Sequence, residues 1–367
     1  MILCTLEFGL IIATFFVGNF FVGEIPAFVI VWLGVLLYRA IVGVPFSTTE
    51  IKGQVILFII ILPLLIWGIY KQDTYYYCFY QLVFAFSCLP LINKSLANKY
   101  FPYVAILFIL FFTFGLVFLG AGRGGFIFGP NILYRIFGVL YMSLFISILI
   151  RGIDWKWANL ILLSSYILVF IGLVATGSRG ATIILLLCTI VLVIYLKNKL
   201  SLMKFIVLFS VPLVFLLYLY MDDIVGVMGR LLFFDVNNGS ETVRLDMFSR
   251  LFVFFSDSTS KEILFGLGNL NRIFAEEGYY PHNLLVELIV YHGLIYFTVF
   301  MLFFLYTAFI FCKKTEANVS LLIFLPIVIG CQFSGNLTDN YIAFLAPALL
   351  YLNNHRYRCN NLILQER

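Results

Sequence analysis

The chain has 367 residues, of which 63% are apolar and 11% charged, with a formal net charge of +5 and a mean hydropathy of +1.06. Soluble domains carry roughly 25% charged residues, so composition excludes a water-soluble globular protein and selects a polytopic membrane protein. Continuous runs such as 101–119 and 183–196 lack the alternation of a transmembrane barrel, and lipid offers backbone amides no partner, so an all-α bundle of membrane-spanning helices is predicted.

Apolar runs near the length of a membrane span, about 20 residues, place about twelve spans in one integral membrane domain, 1–367. They fall at 2–22, 25–44, 53–70, 75–93, 101–120, 132–150, 158–176, 181–197, 204–221, 283–311, 319–335 and 340–352. The first stretch has no basic n-region and no small-residue cleavage site, so it is expected to stay as a span rather than be removed as a signal peptide. The seven cysteines show no paired spacing and suggest neither a disulfide framework nor a zinc site. Nothing resembles a nucleic-acid surface.

Basic residues set the orientation. With both termini in the cytoplasm, that side receives Lys52, Lys94, Lys99, Arg151, Lys156, Lys197, Lys199, Lys204, Lys313, Lys314, Arg356, Arg358 and Arg367, with Arg39 near it. The opposite side receives Lys71, Lys261 and seven arginines: Arg123, Arg135, Arg179, Arg230, Arg244, Arg250 and Arg272. The charge-sorting rule does not require that separation by residue type. A guanidinium presents a planar fork of donors that grips phosphate at two points, whereas an ammonium is a compact hydrated charge. The outer face is therefore expected to contact a phosphate-bearing substrate.

Four segments on that face could carry chemistry. Gly122-Arg123-Gly124-Gly125, then Phe128-Gly129-Pro130-Asn131, forms a tight or re-entrant turn before the sixth span, with Arg123 and Asn131 as donors. Gly177-Ser178-Arg179-Gly180 lies between the seventh and eighth spans, where an arginine either faces a cavity with a partner such as lipid phosphate or snorkels to the interface. The long loop 222–281 joins the ninth and tenth spans and is too aromatic for disorder. Within it, Leu245, Phe248, Phe252 and Phe255 recur at helical spacing, predicting an amphipathic helix over 242–255, on the membrane surface or over a cavity. Arg250 and Arg272 serve either anion contact or ion pairs, and Asp246 stands four residues before Arg250. Last, Pro281-His282-Asn283 opens the tenth span, with Gly293 after nine intervening residues. His282 can move a proton near neutral pH or simply start the helix, and Asn283 could orient it or a sugar hydroxyl.

The outer carboxylates Asp222, Asp223, Asp235, Asp246, Asp257 and Glu262 are dispersed, so no pair suggests metal-dependent transfer from a nucleotide sugar. A pyrophosphate leaving group on a lipid fits better, its growing charge stabilised by arginine. No metal and no cofactor are expected.

At these residues the chain resembles the O-antigen polymerase and O-antigen ligase superfamily of bacterial inner membranes. The resemblance is carried, in order, by Phe128-Gly129-Pro130-Asn131, Ser178-Arg179-Gly180, Arg244 with Phe248, Gly266-Leu267-Gly268, and His282-Asn283 with Gly293, over about residues 120–300. Tyr296 stands where the ligase pattern has a second glycine, which favours the polymerase side of the superfamily. The resemblance implies a metal-free GT-C-like membrane glycosyltransferase acting at the periplasmic face, with one large periplasmic loop. Its substrate would be an undecaprenyl-pyrophosphate-linked oligosaccharide in contact with membrane lipids, and a chain-length co-polymerase is an expected partner. It implies that Arg179, Arg244 and His282 are catalytic, and that Ser178, Asn283, Arg123, Asn131, Arg250 and Arg272 bind substrate. The alternatives are a ligase moving finished glycan to lipid A core, and a non-enzymatic flippase for the same lipid-linked glycan.

Overall fold

The computed structural model describes residues 1–16, 21–22, 25–71, 76–120, 126–151, 155–196, 250–268, 283–313 and 319–332. It forms two compact units, one of residues 1–5 and 96–241, the other of 6–95 and 242–367. The helices are α1 (Ile2–Phe16), α2 (Ala27–Val42), α3 (Thr48–Lys71), α4 (Tyr76–Ser87), α5 (Leu89–Ala97), α6 (Phe101–Leu119), α7 (Pro130–Arg151), α8 (Trp155–Ala175), α9 (Arg179–Leu196), α10 (Ser260–Phe265), α11 (Leu284–Lys313) and α12 (Leu325–Gly330). Residues 250–257 are also helical, and a 3-10 helix, Val319–Phe324, leads into α12. Extended pairing among the described residues is confined to the two-residue ribbon Phe21–Val22 with Ile25–Pro26 and a bridge between Phe126 and Phe128.

Four stretches are long and apolar enough to cross a membrane: Phe101–Leu119, Pro130–Leu149, Trp157–Ala175 and Leu284–Tyr306. The protein is an integral membrane protein. Shorter apolar helices occupy parts of the first, second, fourth and eighth predicted spans. The fourth divides at Cys88, and the eleventh begins as a 3-10 turn. The ninth and twelfth spans lie outside the described residues, as does most of the 222–281 loop.

In the first unit α7 is the central helix, packed by α6, α8 and α9. Of its spanning window 89% is buried, against 44% for α6 and 39% for α8. The outer helices are apolar on both faces, as a span between protein and lipid must be. In α6, Val104, Ile109, Phe112 and Leu116 turn inward while Leu107, Phe111, Phe114 and Phe118 are exposed. Hydroxyls join the helices where water does not compete. Thr113 donates to the Leu168 carbonyl at 3.1 Å. Thr189 gives its proton to Leu185 O, so the 2.6 Å contact with Tyr166 is donated by the phenol. Gly172 admits the Phe137 ring, which a Cβ there would overlap.

In the second unit, all five guanidinium protons of Arg39 are engaged. Its nitrogens donate to both Glu50 oxygens and to the carbonyls of Val44, Pro45 and Ser87 at 2.7–3.2 Å. Glu50 in turn accepts from Ser47 N, while Ser47 Oγ caps α3 through Glu50 N. This network is a closed structural clamp with no donor left for a ligand. Further along α3, Pro63 removes one helical amide, and Tyr296 of α11 donates to the neighbouring Ile60 carbonyl at 3.0 Å.

Candidate functional site

Two of the motifs singled out in the sequence meet in the first unit. Phe126 and Phe128 exchange backbone hydrogen bonds across Ile127, whose φ of 61° is a left-handed value that a β-branched residue adopts only under strain. That tight turn delivers the chain into Pro130, which starts α7 without needing the missing amide. On the other side, α8 ends at Ala175 and the turn after it closes at Gly177, whose φ of 58° is a left-handed value that favours glycine. Thr176 Oγ1 accepts from Ser178 N at 3.3 Å, and α9 begins at Arg179.

The Ser178 hydroxyl donates to Asn131 Oδ1 at 3.3 Å, across 47 residues of sequence. Ser178 is half-buried and Asn131 exposed, and the Asn131 amide NH2 donates to no described residue. Gly180 lies against the Tyr134 ring, which a Cβ there would overlap. The Phe-Gly-Pro-Asn and Ser-Arg-Gly elements are thus one structural feature, built from the starts of α7 and α9.

A second junction forms in the other unit. Thr259 and Glu262 close a capping box that starts α10, and α10 ends at Gly266, with φ of 81°. Leu267 N then donates to Val290 O at 2.9 Å, and Gly268 N to Tyr291 O at 3.0 Å. Those carbonyls belong to the turn of α11 before Gly293, whose non-helical φ of 78° and ψ of 174° interrupt the helix. A broken span is tolerated only where its freed backbone groups are satisfied within protein. Here Gly266-Leu267-Gly268 performs that task. A Cβ on Gly266 would overlap the backbone of Tyr291, and one on Gly293 the backbone of Leu264 and Gly266.

The helical stretch 250–257, which contains half-buried Arg250, packs beside this junction. Its buried residue is Phe254, in a core with Val286 and Val290 that Leu251, Ile263, Leu267 and Ile289 extend. Of the predicted stripe, Leu245 and Phe248 lie outside the described residues, and Phe252 and Phe255 are on the edge away from this core. Phe252 is 75% exposed and Phe255 faces outward as well, because α11 takes the Leu251/Phe254 edge instead.

Asn283 caps α11. Its Oδ1 accepts from Leu285 N at 2.9 Å and Val286 N at 3.2 Å, while Nδ2 donates to Gln332 O at 3.1 Å. The amide therefore ties the start of α11 to the end of α12. Immediately before the break, buried His292 packs its ring near Tyr291 and Tyr296. It lines an apolar cavity of about 360 Å³ with Pro63, Leu264 and Phe300 among others.

Arg179 is placed as the first residue of α9, and Arg123, Arg244, Arg272 and His282 lie outside the described residues. Three buried ionisable residues within spans went unselected in the sequence: Glu7 of α1, 2% exposed, Arg135 of α7, 5% exposed, and Glu287 of α11, 0% exposed. The available signal was their position inside apolar runs, where a charge is a functional candidate by default. Among the described residues no cluster of three His, Cys, Asp or Glu side chains could hold a metal ion.

Residues 163–301 match a family model described as O-antigen ligase. The match supports the O-antigen polymerase/ligase superfamily, whose members are membrane enzymes of glycan transfer. It spans Ser178, Arg179 and Gly293 but begins after Asn131 and Arg135. No curated protein and no solved structure matches the chain.

Proposed function

We propose that this protein is an O-antigen polymerase of the bacterial inner membrane. It moves a growing glycan from undecaprenyl pyrophosphate onto the sugar end of a lipid-linked repeat unit at the periplasmic face. The observation that carries this reading is the Ser178–Asn131 hydrogen bond, which unites two distant motifs at the residue preceding Arg179. In the reaction, an acceptor hydroxyl attacks the anomeric carbon as the bond from that carbon to the pyrophosphate oxygen breaks. Arg179 and Arg244 hold the diphosphate and stabilise the charge that grows on it. His282 positions the acceptor hydroxyl or takes its proton, and Asn283 supports that histidine by fixing the start of α11. Ser178, Asn131, Arg123, Arg250 and Arg272 contribute to substrate binding. The 222–281 loop acts as a lid over the substrate. No metal or cofactor takes part, and a chain-length co-polymerase sets product size.

The family description favours a second reading, a ligase that transfers finished glycan to lipid A core. Purified protein given one lipid-linked repeat separates the possibilities. A polymerase makes a ladder from that substrate alone, a ligase makes product only when core is added, and a flippase makes none. Reporter fusions test the topology: both termini are expected in the cytoplasm, with Ser178 and His282 on the periplasmic side.

A further inference from the structure

We infer that Gln332 is a binding residue for the acceptor sugar, its side-chain oxygen receiving a hydroxyl of the incoming repeat unit; the inference rests on the function and topology proposed above. The start of α11 is stitched to the chain just past α12. Leu284 N donates to Cys331 O at 3.2 Å, and Asn283 Nδ2 donates to Gln332 O at 3.1 Å. Asn283 Oδ1 accepts from the amides of Leu285 and Val286, which uses both lone pairs of that oxygen. The amide that follows His282 in the sequence is therefore spent on the stitch, with no acceptor left for a sugar hydroxyl.

Gln332 has the opposite allocation. Its tie to Asn283 is made by the backbone carbonyl, which leaves the side chain out of the structural role. The side-chain Nε2 donates to Cys331 Sγ at 3.2 Å, and a sulfur is a weak acceptor. Oε1 is buried and has no hydrogen-bond partner among the described residues. Such an oxygen is costly and rare, and it calls for a donor from outside the fold. Gln332 as a whole is half-buried, so an amide held only through sulfur can turn toward an arriving group. That group must donate. An amide oxygen accepts only and carries no full charge, so it suits neither the oxygens of a phosphate nor, above other donors, an ammonium. A neutral O–H is its complement, and the acceptor sugar supplies hydroxyls. Asn283 directly follows His282 in the sequence, so the stitch holds Gln332 at the end of α11 where the acceptor hydroxyl is proposed to bind.

The test uses the full-length protein in nanodiscs. The donor is the lipid-linked repeat isolated from cells that lack this chain, and the acceptor is the oligosaccharide released from that lipid by mild acid. The released sugar has neither diphosphate nor prenyl chain, so it accepts without donating, and lipid-free dimer reports the transfer. Gln332→Met removes the oxygen at similar length and is expected to raise KM for the free oligosaccharide about three- to tenfold, the scale of one neutral hydrogen bond. KM for the donor, measured at saturating free sugar, and the thermal unfolding midpoint are expected to stay at wild-type values. Gln332→Glu keeps an acceptor oxygen and should recover part of the loss. Wild-type acceptor KM in Gln332→Met overturns the inference, as does an equal rise for donor and acceptor, which marks a structural role. If Gln332→Met does not accumulate, Gln332→Asn decides: its oxygen is drawn back by one methylene, so a rise of about threefold or more supports the contact, and wild-type KM overturns it. If the wild type extends the lipid-linked repeat but not the free sugar, kcat/KM for ladder growth is read in the same way, with recovery by Gln332→Glu required. A wild type that extends neither substrate removes the proposed function itself, whereas an active wild type matched by Gln332→Met removes only the role of Gln332.

Discussion

The two motif junctions use glycine for opposite purposes. At the α7/α9 start, Gly180 makes room for a ring, and the polar contact between Ser178 and Asn131 is made by side chains, one of them exposed. At the α11 break, Gly266 and Gly293 make room for each other's backbone, and the hydrogen bonds run from backbone to backbone. The first junction presents groups that a ligand can reach. The second satisfies its own carbonyls and leaves little for chemistry, which marks it as a scaffold. Motifs that look equally glycine-rich in the sequence therefore differ in what they offer a substrate.

That difference can be broken by substitution, read as unfolding of the detergent-solubilised, ligand-free protein. The largest effect is expected at the scaffold. Gly293→Ala places a Cβ against backbone at a positive φ, combining left-handed strain with overpacking for a loss of about 4 kcal/mol. No side-chain truncation should relieve it. Next, Phe254→Ala is expected to cost about 3 kcal/mol, since it empties a fully buried site, whereas Phe252→Ala on the exposed edge should stay within about 0.5 kcal/mol. At the other junction, Gly180→Ala should cost about 2 kcal/mol. There, unlike at Gly293, adding Tyr134→Ala removes the overlapping atoms and should relieve the Gly180→Ala cost, a non-zero coupling between the two sites. Of the two junctions' contacts the weakest is the Ser178–Asn131 pair, where a double-mutant cycle should give about 0.5–1 kcal/mol. A rescue of Gly293→Ala by truncating a side chain would erase the distinction between the junctions.

Much of the helical layout could be read from the sequence, because a span must be apolar on whichever side it meets. The same fact hides the packing. Nothing in the residue types of α6 separates inward Phe112 from outward Phe111 and Phe114, since lipid and protein accept the same side chains. The 250–257 helix shows the same limit: Phe252, Phe254 and Phe255 are equally apolar, and only α11 decides which of them it covers. Local breaks were partly hidden as well. Gly293 was noticed as a motif, but its positive φ follows from a loop more than 20 residues earlier in the chain supplying amides to the freed carbonyls. Asn283 illustrates the same limit. Its residue type fits both a sugar contact and a helix cap, and the hydrogen bonds to Leu285, Val286 and Gln332 assign it the cap. Arg135 stood near the predicted end of a span, where an arginine ordinarily snorkels, so its burial became visible only once α7 was known to be central.

The most direct test is glycan transfer by purified protein from an undecaprenyl-pyrophosphate-linked repeat, comparing wild type with Arg179→Ala at matched folded concentration. The account predicts a loss of about 10²–10³ in turnover, the scale for removing a donor that stabilises developing charge, with Arg179→Lys recovering only part of it. Turnover by Arg179→Ala within about twofold of wild type, too little for a charge-stabilising donor, would contradict the assignment of this arginine to the leaving diphosphate.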